Sequence, residues 1–73
     1  MKVLLNSMDK VKCFVDTVTK FEADVDLVSG KYNVDAKSIM GIISLNLTRP
    51  IEVVIHDADY QAKIGECLKA FEV

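Results

Sequence analysis

The chain has 73 residues, 51% of them hydrophobic and 27% charged, the balance expected of one small globular domain covering 1–73. A folded domain of that size buries only about 60% of the surface its unfolded chain exposes and does not easily enclose a deep substrate cavity, so function is expected on the surface. The formal net charge of −2, with Lys and Arg spread along the chain, excludes the basic stripe of a nucleic-acid binder.

Lys2 to Leu5 read as a short first strand. Asn6 or Ser7 can then cap a helix, since either side chain accepts a hydrogen bond from a free first-turn N–H, and Asp9 adds the negative charge that a helix start favours. Val11, Phe14, Val15, Val18 and Phe21 or Glu22 follow at helical spacing, which predicts a first helix to about Lys20. The period then changes to two. Ala23, Val25 and Leu27 alternate with Asp24 and Asp26, a strand with one wet face. Val28 to Lys31 form a tight connection in which Gly30 can take a positive φ, and Tyr32, Val34 and Ala36 make the returning strand of a hairpin. Ser38 opens a second helix expected over Ile39 to Leu47, stopped by Thr48, Arg49 and Pro50. Ile51, Val53 and Ile55 alternate with Glu52, Val54 and His56 in a fourth strand. Asp57 or Asp59 caps a last helix with Tyr60, Ile64, Cys67, Leu68 and Phe71 on one face.

The order β-α-β-β-α-β-α predicts an α+β fold of two layers, with helices on one face of a four-stranded antiparallel sheet. A crossover through the first helix leaves room for the fourth strand between the first and second. No apolar run approaches the roughly 20 residues of a membrane span, and Val3 to Leu5 are too few for a signal peptide, so no membrane insertion and a cytoplasmic location are expected. Cys13 and Cys67 each fall in an amphipathic helical pattern and read as reduced, small hydrophobes. His56 is the only histidine, too little for a metal centre with those thiols. No nucleophile–base pair, carboxylate dyad or Gly-rich phosphate loop is evident, so no enzymatic activity and no cofactor are expected.

The stretch from Phe14 to Leu45, FVDTVTKFEADVDLVSGKYNVDAKSIMGIISL, is similar to the HPr (histidine-containing phosphocarrier) family of the bacterial sugar phosphotransferase system, and AKSIMGIISL, Ala36 to Leu45, is its most specific part. The resemblance implies the same HPr-like two-layer fold. It also implies a histidine at the start of the first helix, in a His-x-Arg-Pro motif, that takes phosphate from a phosphoenolpyruvate-dependent kinase and passes it to sugar transporters. A helix N-terminus suits that work because its free N–H groups and dipole stabilise a phosphoryl group. Counting back from Phe14 without gaps puts Ser7 at the histidine position, with Met8, Asp9 and Lys10 at the next three. A serine ester lacks the transfer potential of phosphohistidine, and Asp9 sets a carboxylate beside an incoming dianion. His56, at the outer end of the fourth strand and away from the first helix's start, offers no obvious substitute.

In Gram-positive members the serine matching Ser38 is phosphorylated by a dedicated ATP-dependent kinase as a metabolic signal. Ser38 therefore has two readings, an inherited phosphorylation site or an N-cap and nothing more. The second helix is too apolar to be amphipathic, with Ile39, Ile42 and Ile43 on one stripe and Met40 with Leu47 on another. The resemblance implies a docking surface there, formed by Lys37, Ile39, Met40 and Leu47, for proteins of the phosphotransferase system or its regulators, HPr kinase among them. The expected function is a regulatory or adaptor protein acting through Ser38 and the second helix. The alternative is a working phosphocarrier with an atypical site.

Overall fold

Alternating apolar residues give the sheet one dry face, and that face sets where everything else packs. The computed structural model describes residues 1–73. Its elements are β1 (Lys2–Val3), α1 (Met8–Thr19), β2 (Val25–Ser29), β3 (Tyr32–Asp35), α2 (Ile39–Ile43), β4 (Ile51–Ile55) and α3 (Gln61–Cys67), the last flanked by 3-10 turns at Ala58–Tyr60 and Lys69–Phe71. The four strands form one antiparallel sheet in the order β1-β4-β2-β3, with β4 inserted between β1 and β2 as the crossover requires. Register places Leu27 opposite Val53 and Val3 opposite Ile51, so the buried side chains of all three strands lie on the same face.

Against that face α1 sets Val11, Phe14, Val15 and Val18, α2 sets Ile42 and α3 sets Ile64, joined by Leu68 just beyond it. The resulting core holds 16 residues, all hydrophobic, with no polar side chain buried among them. Phe14 meets Phe71 edge to face, ring centroids 5.6 Å apart, an arrangement that favours aromatic quadrupoles beyond simple burial. The hairpin turn between β2 and β3 has Gly30 at φ +60° as its first central residue, with Ser29 and Tyr32 paired around it. That single positive φ is the pattern of a type II′ turn, which matches the twist of the strands it joins.

Four expectations are corrected. β2 runs Val25–Ser29 rather than Ala23–Leu27, because the two-residue turn lets pairing continue to Ser29. The second helix ends at Ile43, well short of Leu47. The Ser44 hydroxyl donates to the Gly41 carbonyl, and Asn46 Oδ1 accepts from the Thr48 N–H at 3.1 Å and its hydroxyl at 2.6 Å. These polar side chains satisfy backbone groups locally, which lets the chain leave the helix early. The last helix is broken into a short α-helix between two 3-10 turns. Finally, Cys13 and Cys67 are exposed: Phe14 and Ile64 with Leu68 take the inward positions of their turns, and the cysteines fall beside that stripe.

A contact not foreseen from the pattern closes the outer edge of β1. Leu4 N–H donates to the Phe71 carbonyl at 3.0 Å and Val73 N–H to the Lys2 carbonyl at 3.1 Å, so the C-terminal residues lie along β1 and cover its free side.

Candidate functional site

Two helix starts carry the serines singled out above. Ser7 has extended backbone (φ −149°, ψ 155°) and its Oγ accepts the Lys10 N–H at 3.2 Å, making it the N-cap of α1. Asp9 sits in the first turn behind it, and Ser7, Met8, Asp9 and Lys10 are all exposed. The helix start thus presents a hydroxyl already engaged as an acceptor and a carboxylate, with no imidazole. Ser7 can hold a helix end there. It does not offer the ring nitrogen that a reversible phosphoryl relay uses.

Ser38 is built the same way on a shorter helix. Asp35 prepares it: its backbone carbonyl accepts the Ser38 N–H at 3.0 Å and its Oδ1 accepts the Lys37 N–H at 2.8 Å, a turn that lifts the chain from β3 into α2. Ser38 Oγ then accepts the Gly41 N–H at 3.1 Å. Ser38 is half-buried, and its hydroxyl caps the helix. Gly41 permits this closeness. A Cβ at that position would stand 3.3 Å from the Val34 Cβ and 3.4 Å from Ser38 Oγ.

Around Ser38 the structure gathers some of the expected partner-contacting residues and separates others. Met40 is 75% exposed, Ile39 37% and Ile43 40%, which leaves an apolar surface on α2 while Ile42 alone enters the core. Leu47 lies beyond the helix, partly buried and packed against the core. Lys37 extends its ammonium to the Phe21 carbonyl at 2.8 Å, tying the start of α2 to the end of α1 instead of standing free beside Ser38.

His56 lies just past β4 and is half-exposed, with Nε2 2.8 Å from Asp26 Oδ2 on β2, while its backbone N–H donates to the Asp24 carbonyl at 2.9 Å. The surrounding depression of about 370 Å³ is lined by three carboxylates, Asp24, Asp26 and Asp35, with Lys37 the one lysine. An incoming phosphoryl group would meet mostly negative charge there. The His56–Asp26 pair escaped sequence reasoning because it depends on the β2–β4 register; Asp26 faces Val54 in that ladder, and the outward position shared by Asp24, Asp26 and His56 is the only signal.

A family model described as the PTS HPr component phosphorylation site matches residues 10–72. The matched span begins after Ser7 and contains Ser38. Among solved structures, the fold resembles HPr-C-His from Thermoanaerobacter tengcongensis, with a TM-score of 0.77 over 93% of this chain and 81% of that one at 23% identity, a likeness of fold alone. The phosphocarrier protein HPr from Bacillus anthracis str. Ames gives a TM-score of 0.77 at 27% identity, covering 100% of this chain and 92% of that one. The catabolite repression containing protein Crh of Bacillus subtilis, described as a domain-swapped, intertwined dimer, gives 0.73 at 29% identity over 100% and 87%. No curated protein matches the chain.

Proposed function

The chain belongs to the HPr family of the phosphotransferase system, and from that premise we propose that it is a regulatory or adaptor member and not a relay of phosphate. The observation that carries this reading is the start of α1. Ser7 caps it through Oγ, Asp9 follows in the first turn, and the chain's single histidine lies elsewhere, paired with Asp26. A relay needs a nucleophilic nitrogen that forms a labile phosphoramidate. A serine would form a stable ester, and Asp9 would oppose the donor's charge.

The working surface in this reading is the start and outer face of α2. Ser38 Oγ is the group a kinase would phosphorylate, taking the γ-phosphoryl of ATP and releasing ADP and the hydroxyl proton. The dianion would remain at the helix start, where the Gly41 N–H that Ser38 already caps can donate to it. It would stand beside the exposed Ile39, Met40 and Ile43, so the same patch would present different charge to a partner in the two states. Met40, unbranched and adaptable, suits a surface that accommodates more than one partner. Ile39 and Met40 are assigned to the centre of the partner contact, and Lys37, anchored to the Phe21 carbonyl, and Leu47, packed on the core, to its edge. The partners are proteins of the phosphotransferase system or its regulators, with HPr kinase acting on Ser38. We assign residues 1–73 to one domain, working in the cytoplasm, without a cofactor and without catalysis of its own. No helix is long and apolar enough to cross a membrane.

The test is phosphorylation of the folded protein by HPr kinase and ATP, mapped by mass spectrometry. One phosphate per chain on Ser38, lost in Ser38→Ala, is the expected result. A folded protein that accepts no phosphate, or takes it only elsewhere, removes the regulatory role and leaves Ser38 as a cap.

A further inference from the structure

We infer that the open groove between the β2–β3 turn and the segment leading into β4 binds a small polyanion, a molecule carrying two or more phosphoryl or carboxylate groups. The groove has a volume of about 840 Å³ and lies outside the Ser38 surface and the His56 depression. Three cations line it from three different parts of the chain: Lys2 on β1, Lys31 in the hairpin turn, and Arg49 ahead of β4. All three are exposed, and none has a carboxylate or carbonyl partner within the chain, unlike Lys37 and Lys69.

Charge is distributed against the average here. The protein as a whole is acidic, with 11 Asp and Glu to 9 Lys and Arg, yet the groove has three cations and one carboxylate, Glu52. Glu52 stands opposite Lys2 in the β1–β4 register, but its carboxylate lies 3.7 Å from the Met1 amine, which offsets part of its charge. Ser29, Tyr32, Ser44 and Asn46 add hydrogen-bonding groups to the lining.

The number and kind of these groups select the ligand class. Arg49 offers a planar fork suited to two oxygens of one phosphoryl or carboxylate group, and the lysines supply point charges for a second. Three cations are too few to track a nucleic-acid backbone, whose binders neutralise on the order of 6 to 10 phosphates.

Inorganic pyrophosphate is a suitable probe, titrated at fixed ionic strength while amide chemical shifts are followed by NMR. The expected result is saturable movement of the Gly30, Lys31, Asn46 and Arg49 amides, with Arg49→Gln weakening the affinity roughly tenfold or more. Glu52→Gln removes the groove's carboxylate and should tighten binding by about threefold. Lys63→Gln, on exposed α3 outside the groove, should leave it unchanged. Inorganic phosphate, filling only one subsite, should bind more weakly than pyrophosphate. Shifts that never saturate, affinities equal for phosphate and pyrophosphate, or a loss in Lys63→Gln matching that in Arg49→Gln would overturn the assignment. The two Gln variants in the groove alter affinity in opposite directions, so a general loss of folding cannot imitate the expected pattern.

Discussion

Replacing Ser38 separates the structural part it plays as a cap from the signalling part proposed for it. Its Oγ accepts one hydrogen bond, from the Gly41 N–H at 3.1 Å, and α2 has no other side-chain cap at its start. Ser38→Ala removes that acceptor from a half-buried helix end, at a cost of about 1 kcal/mol. A domain of this length has roughly 4 to 10 kcal/mol in total. The loss should therefore lower the melting temperature by about 4–8 °C. Ser38→Asp keeps an oxygen at the cap and adds a negative charge where the dipole favours it, so its melting temperature should stay within about 2 °C of the parent. Thermal unfolding followed by circular dichroism at 222 nm, a wavelength chosen for helix, reads both variants. If Ser38→Ala melts with the parent, the hydroxyl does not hold α2. If Ser38→Asp falls as far as Ser38→Ala, the site does not tolerate charge, and a phosphate there would unfold the helix instead of modulating its surface.

Further outcomes follow from packing. Phe14 is fully buried and meets Phe71 edge to face, so Phe14→Ala should cost about 3–5 kcal/mol, a large part of the domain's total stability, measurable by urea titration. Two glycines in helices should respond with opposite signs. Gly41→Ala brings a Cβ to 3.3 Å from Val34, which β3 holds in place, and should destabilise by roughly 1 kcal/mol or more. Gly65→Ala meets nothing within 4 Å and should stabilise by about 0.5–1 kcal/mol through helix propensity; equal melting temperatures for the two would refute the close approach of α2 to β3. Asp26→Asn alters the hydrogen-bond partner of a half-exposed His56 and should cost no more than about 1 kcal/mol, read by the same urea titration.

Most of the framework is legible because the periods are clean. Val25 and Leu27 against Asp24 and Asp26, and Ile51 and Val53 against Glu52, have only one arrangement that buries the apolar set, and the observed register uses it. Ser7 and Ser38 announce their helices because a hydroxyl just before an apolar run has an N–H to satisfy. What escapes is set by contacts between distant segments or by competition among neighbours. Cys67 shares an approximate helical face with Ile64 and Leu68, yet those two occupy the interior and turn it outward. The reach of Lys37 to the Phe21 carbonyl joins residues 16 positions apart and has no local signature. The pairing of Phe71 and Val73 with β1 likewise depends on where α3 delivers the chain. The end of α2 at Ile43 was hidden by its continuing apolar sequence, since the side chains of Ser44, Asn46 and Thr48 decide it by capping backbone groups.

The proposal that this HPr-family chain does not relay phosphate has a direct assay. Incubation with phosphoenolpyruvate and the first enzyme of the phosphotransferase system, followed by intact-mass and acid-lability analysis, measures it most directly. No acid-labile phosphate is expected on the chain, and only partial recovery in Ser7→His, because Asp9 and Lys10 still shape the start of α1. Stoichiometric, acid-labile phosphate on His56 of the unmodified sequence would contradict it.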